Sequence, residues 1–161
     1  MVTTAIYAGS FDPITRGHED LIRRSCEFVD HLVVAVAVNS AKKALFTTEE
    51  RVDLIRAATA DNKCVEVTQF EGLLVEFAKK IGAKLNIRGL RAVSDFEYEF
   101  QMALMNRKLR GTVETVFLMP HEKYTYISSR LIKEVASFGA SVHGMVPPGV
   151  EKRLIEKFPQ K

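Results

Sequence analysis

Short apolar runs alternate with amphipathic stretches along the whole chain. Residues 3 to 8, TTAIYA, are brief, β-branched and apolar, and residues 31 to 38, HLVVAVAV, are almost continuously apolar. Unbroken apolar character over that length predicts strands covered on both faces, the habit of a parallel sheet. CVEVT at 64 to 68, KLNIR at 84 to 88 and ETVFLM at 114 to 119 have the length and branching of three more.

Helical spacing fills the intervals. After Thr15-Arg16-Gly17, the apolar positions Leu21, Ile22, Cys26 and Val29 fall on one face at a 3.6-residue period. Thr47 with Glu50, and Ser94 with Glu97, have the spacing of a capping box, in which side chains and first-turn amides satisfy each other. They predict helix starts near residues 48 and 95. Residues 72 to 81 before Gly82, and 129 to 138 before Gly139, read as helices closed by a left-handed glycine. A last helix is predicted after Pro147-Pro148-Gly149.

Five strands joined by helical crossovers give an α/β fold with a doubly wound, five-stranded parallel sheet, since such crossovers are right-handed. Ligands in these sheets bind outside the carboxyl ends of the strands, where strand order reverses. The loops at those ends are GSFDPITRGH after the first strand, NSAKKALF after the second, RGLRAVSD after the fourth and PHEKYTYISS after the fifth.

Composition narrows the class. A chain of 161 residues predicts one domain over 1–161, because roughly 70% of its unfolded surface can be buried around a single core. An apolar share of 47% and a charged share of 27% are those of a globular protein, and a net charge of +3 is too mild for a protein that coats nucleic acid. Cys26 and Cys64 form no metal-ligand pattern and too thin a disulfide framework for a secreted domain, so free thiols in a reducing cytosol are expected. No basic leader precedes an apolar core and no run reaches the roughly 18 apolar residues that span a bilayer, so a soluble cytoplasmic chain without a membrane partner is the expectation.

The chemistry lies in the loops. In GSFDPITRGH, Gly9 and Gly17 let the backbone approach a ligand, while Ser10 and His18 offer donors beside a helix start that already favours anions. A tight strand-to-helix turn with a capping His18 reads equally well. The loop is neither G-x-G-x-x-G nor G-x-x-x-x-G-K-[ST], so neither a dinucleotide dehydrogenase nor a P-loop protein is indicated. Arg88 and Arg91 follow a buried strand, where two cations are costly unless anions or carboxylates meet them. Phosphate recognition and pairing with Asp95, Glu97 or Glu99 are both open. Lys42 and Lys43 offer point charges after the second strand or a solvated pair. YTYISSR places hydroxyls at another helix start, with Ser128 suited to the N-cap. Phe100, Met102 and Met105 read as core or subunit contact, and His31, His121 and His143 have no second ligand at useful spacing, so no metal site is expected of them.

These residues together resemble the nucleotidylyltransferase superfamily, whose [TH]-x-G-H marker stands as Thr15-Arg16-Gly17-His18 and whose I-S-S-x-[LIVM] marker stands as Ile127 to Leu131. The closer resemblance is to the bacterial phosphopantetheine adenylyltransferase family: YxGSFDPxTxGH, the Lys42 loop, FTxEER at 46 to 51, IRGLRAxxDFEYE and the ISS segment occur in order over essentially the whole chain. Ala8 stands where the family usually has proline, and Arg130 where serine is frequent.

The resemblance implies a Rossmann-like nucleotidyltransferase fold and transfer of adenylyl from ATP to 4'-phosphopantetheine, giving dephospho-coenzyme A and pyrophosphate with Mg2+. It implies phosphopantetheine contacts at Ser10, Lys42, Leu74 and Arg88. It implies ATP contacts at Ser10, Phe11, His18, Gly89, Leu90, Arg91, Glu99, Tyr124, Thr125, Tyr126, Ile127, Ser128, Ser129 and Arg130, with His18 stabilising the transition state. A homo-oligomer, typically a hexamer, is the family expectation. The alternatives are a sister nucleotidylyltransferase with another phosphorylated acceptor and a non-catalytic nucleotide-binding module.

Overall fold

A computed structural model describes residues 2–38 and 43–159. Five strands, β1 (Thr4–Gly9), β2 (His31–Ala37), β3 (Val65–Phe70), β4 (Leu85–Gly89) and β5 (Glu114–Leu118), form one sheet in the order β3-β2-β1-β4-β5. Every neighbouring pair is parallel. The helices are α1 (Arg16–Ser25), α2 (Thr48–Ala58), α3 (Leu74–Lys80), α4 (Val93–Leu109), α5 (Ser129–Ser137) and α6 (Pro148–Lys157), with a 3-10 turn at Glu122–Tyr124. The predicted α/β architecture and all five strands are present, with strand ends displaced by one or two residues.

Alternation along the strands feeds two cores. Ala5 and Tyr7 of β1 join Leu21 and Ile22 of α1, Val52 and Ile55 of α2, Ile132 of α5 and Leu154 of α6 on one face. Ile6 and Ala8 turn to the other, with Val33, Ala35, Phe70 and Ala78 of α3. The central strands β1 and β2 are thus covered on both sides, which is why their sequences are continuously apolar rather than alternating.

Local signals account for most helix ends. The Thr47–Glu50 capping box is formed on α2, with Glu50 N–H donating to Thr47 Oγ1 at 3.1 Å and Thr47 N–H to Glu50 Oε2 at 2.9 Å. Gly82 and Gly139 take the left-handed backbone, at φ +70° and +78°, just beyond α3 and α5. The Ser94–Glu97 expectation is corrected: α4 starts at Val93 with Ala92 as N-cap and no side-chain cap, and the Ser94 side chain lies outside the described residues. Residue 72 does not begin α3 either; that helix opens at Leu74 from an extended Leu73.

Strand order reverses between β1 and β4. There the ladder pairs only Ala5 with Leu85 and Ile6 with Asn86, while β1 and β2 stay in register to Gly9 and Val36. The two central strands therefore stop hydrogen-bonding before they end, and a crevice opens over their carboxyl ends, where this sheet class binds its ligands.

Candidate active site

The loop after β1 is held in place from several directions. Thr15 is the N-cap of α1 and His18 its third residue: Thr15 N–H donates to His18 Nδ1 at 3.0 Å, and His18 N–H donates to Thr15 Oγ1 at 3.4 Å. His18 is thus a capping residue, as the ordinary reading of the loop had it, and at the same time it lines the crevice. A backbone N–H can only donate, so Nδ1 is an acceptor and the proton of the neutral ring sits on Nε2. Burial pushes the imidazole down to about 4, and the guanidiniums of Arg91 and Arg88 add to the effect. At neutral pH His18 is an uncharged Nε2–H donor. Phe11 packs edge-on against both His18 and Tyr7, with ring centroids 5.1 and 5.3 Å apart, and holds φ at +46°, a left-handed backbone uncommon outside glycine.

Asp12 ties this loop to two others. Its carboxylate accepts from Leu45 N–H at 3.0 Å, Phe46 N–H at 2.9 Å and Lys133 Nζ at 2.7 Å. Burial works against the charge, but Lys133 and the two amides outweigh it and hold the carboxyl below its ordinary value. Arg51 of α2, itself buried, donates to Ser10 O at 2.8 Å. Ser129 Oγ of α5 donates to Pro13 O at 2.7 Å. None of these ties was legible in the sequence, because each spans tens of residues.

Arg88 and Arg91 face the loop across the crevice. Arg88 donates to Ala8 O and, bidentately, to Glu99; Arg91 donates to Asp95 and to Ile127 O. The pairing reading holds, and the paired arginines border the crevice. Burial opposes the charge of Arg88, and Glu99 more than restores it. A guanidinium has five N–H donors; with three used in each arginine, two remain for a ligand.

Two cavities meet over β1. The first, of about 510 Å³, is lined by Phe11, His18, Gly89, Arg91 and the α5 start from Ile127 to Arg130. The second, of about 290 Å³, runs between the sheet, α3 and α4 and is lined by Leu74, Asn86, Tyr98, Met102 and Asn106. Ala8, Gly9, Ser10, Arg88 and Glu99 line both. Leu90, Thr125 and Tyr126 are not among the lining residues of the first cavity, and Tyr124 lines another on the far side of α1. Lys42 lies outside the described residues; Lys43 lines a small cavity with Ser10, Arg51 and Lys133. Ser128 caps α5, accepting from Leu131 N–H at 3.1 Å. The first-turn amides of α5 are thereby set at the rim of the crevice, where they favour an anion.

The sheet order and the crevice at its switch point are those of a Rossmann-like architecture. The profile of the cytidylyltransferase-like family matches residues 6–135. A solved protein assigned as a nicotinate-nucleotide adenylyltransferase from Vibrio parahaemolyticus superposes with a TM-score of 0.73 over 96% of this chain and 99% of its own, at 18% identity, a likeness of fold. Phosphopantetheine adenylyltransferase of Caldanaerobacter subterraneus subsp. tengcongensis is 56% identical over 96% of both chains. That of Moorella thermoacetica is 53% identical over the same share of each. The chain belongs to the phosphopantetheine adenylyltransferase family.

Proposed function

We propose that the chain joins ATP to 4'-phosphopantetheine, giving 3'-dephospho-coenzyme A and pyrophosphate, a step of coenzyme A biosynthesis. The observation that carries this reading is the junction of the two cavities at Ser10, Arg88 and Glu99, beside the Nε2 edge of His18. A triphosphate nucleotide fits the cavity with the α5 amides, Phe11, Gly89 and Arg91. An acceptor with a phosphate head and a long arm fits the other, its arm along Leu74 and its phosphate at Ser10 and Arg88.

The acceptor oxygen attacks the α-phosphorus of ATP in line, and the bond to the β-phosphate bridging oxygen breaks as pyrophosphate leaves, so no covalent enzyme intermediate is needed. Catalysis is then positioning and charge stabilisation. His18 Nε2–H donates to the α-phosphate as charge builds, while Arg91 and the α5 start meet the departing pyrophosphate. Glu99 and Asp95 hold the two arginines in place in the unliganded chain.

Magnesium fits this scheme as the companion of the triphosphate. Among the described residues no group of three or more His, Cys, Asp or Glu side chains could cage an ion, and Glu99, Asp95 and Asp12 are all engaged by cations. Mg2+ would enter with the triphosphate and offset its charge, without a cage of described carboxylates to hold it. No described helix is long and apolar enough to cross a membrane. A cytoplasmic homo-oligomer, a hexamer by family expectation, completes the proposal. The exposure of Phe96, Tyr98, Phe100, Met102, Leu104 and Met105 along α4 favours subunit contact over a core role for that helix.

Pyrophosphate release, followed with ATP and a panel of phosphorylated acceptors, tests the reading. Activity with 4'-phosphopantetheine alone supports it; activity with a mononucleotide alone identifies a sister nucleotidylyltransferase; ATP binding without release under any acceptor leaves a binding module.

A further inference from the structure

We propose that Tyr7, which none of the family markers assigns to a substrate, is a direct ATP contact whose phenol hydroxyl donates a hydrogen bond to the nucleotide in the crevice between β1 and β4. The inference rests on the adenylyl-transfer reading above and adds a residue to it. Tyr7 is the fourth residue of β1, only 5% exposed, and its ring packs in the core against Phe11. Its side chain nevertheless lines the nucleotide cavity.

The hydroxyl makes no hydrogen bond to any described residue. The oxygen is not sealed in either: among the described residues the fully enclosed side-chain polar atom left unpaired is Asn86 Oδ1, so the phenol oxygen opens to the cavity that Tyr7 lines. A phenylalanine would fill the same space against Phe11 without presenting a polar atom to the cavity. The hydroxyl sits at the end of the strand pair, where a Cβ built on Gly89 would lie 3.8 Å from it. The hydroxyl thus lies beside Gly89, which lines the same cavity.

The surroundings decide which way the hydroxyl works. Arg88, Arg91 and Glu99 all act on it electrostatically, and burial pushes the phenol well above its ordinary range, an effect the two arginines only partly offset. At neutral pH it carries its proton. The protonated phenol has an O–H to give, and no described acceptor takes it, so a ligand acceptor in the cavity can. The ligand that the cationic crevice gathers is rich in acceptors: phosphate oxygens and ribose hydroxyls.

Tyr7→Phe removes one oxygen and keeps the ring. Titration calorimetry with the non-hydrolysable α,β-methylene analogue of ATP should show affinity weakened by about three- to tenfold, the range of one neutral hydrogen bond. Affinity for 4'-phosphopantetheine and the melting temperature should not fall. Adenosine as a second titrant locates the contact: loss with the triphosphate alone places the hydroxyl on a phosphate, and loss with both places it on the ribose. Unchanged affinity for the triphosphate overturns the proposal. Pyrophosphate release by the unmodified protein is measured in parallel. If it is absent the adenylyl-transfer reading fails, while the titration still answers for Tyr7.

Discussion

His18 carries two functions that substitutions can separate. His18→Ala removes the Nε2–H donor to the α-phosphate and also the Nδ1 acceptor of Thr15 N–H, a group whose residue is only 2% exposed. Loss of a transition-state donor lowers turnover by about 10² to 10³, or about 2.7–4 kcal/mol. Loss of the cap bond costs about 1–2 kcal/mol of stability, which for 161 residues lowers the melting temperature by roughly 2–8 °C. His18→Glu divides the two effects. A glutamate at the third helical position rebuilds the capping box with Thr15 and complements the helix dipole, but its carboxylate has no proton to give and repels phosphate. Its melting temperature should return to within about 2 °C of the unmodified protein, while its turnover stays at least as low as that of His18→Ala. Single-turnover pyrophosphate release and calorimetric melting provide the two readouts. If His18→Glu regains turnover along with stability, His18 is a cap and not a donor. If His18→Ala turns over at near the unmodified rate, the donor role fails outright.

Nitrogen NMR should find the His18 ring as the neutral Nε2–H tautomer from pH 8 down to about 5, because its folded value lies at about 4. The stability tied to this depressed value is complete above about pH 6.5 and drains away as pH falls toward 4, since the unfolded chain takes up the proton first. A titration midpoint near 6.5 would contradict the burial argument. Gly89→Ala places a Cβ 2.5 Å from Leu21 Cδ1, well inside the 3.5–4.0 Å of ordinary carbon contact, so Leu21, which lines the nucleotide cavity, must shift. About 1–3 kcal/mol of overpacking and a weaker ATP complex, with acceptor binding less affected, are expected by melting and calorimetry; unchanged ATP affinity refutes the crowding. Asp12→Ala leaves Leu45 N–H, Phe46 N–H and Lys133 without their carboxylate and should cost about 2–4 kcal/mol in denaturant unfolding. That advantage is full above about pH 4 and is lost as pH falls through the depressed folded value, so equal stability of the two proteins at pH 7 refutes the clamp.

Much of this molecule was readable in advance because its signals are short-range. Strand identity followed from runs such as HLVVAVAV, the α2 start from Thr47 and Glu50, and the ends of α3 and α5 from Gly82 and Gly139. The loop residues were readable for the same reason, since Ser10, Phe11 and His18 fall within nine residues of chain and Gly89 and Arg91 within three. The start of α4 was misplaced by two residues because a capping-box spacing at Ser94 and Glu97 was outweighed by the tertiary placement of Arg91, bonded to Ile127 O and Asp95. Tyr7, a phenol inside an otherwise apolar strand and the first residue of the YxGSFDPxTxGH marker, stands two residues before Gly9.

By itself the sequence determined the alternation of strands and helices, the parallel sheet, and which loops carry donors, because periodicity, capping and glycine backbone freedom act over a few residues. Only the tertiary structure decided that β1 and β4 are neighbours whose ladder breaks off early, that Arg88 bonds the carbonyl of Ala8 across 80 residues, and that Asp12 meets Lys133 across 121. The physical reason is burial. A guanidinium, an imidazole or a phenol acquires its partners and its protonation state from what is packed around it, and packing is set by contacts between distant parts of the chain.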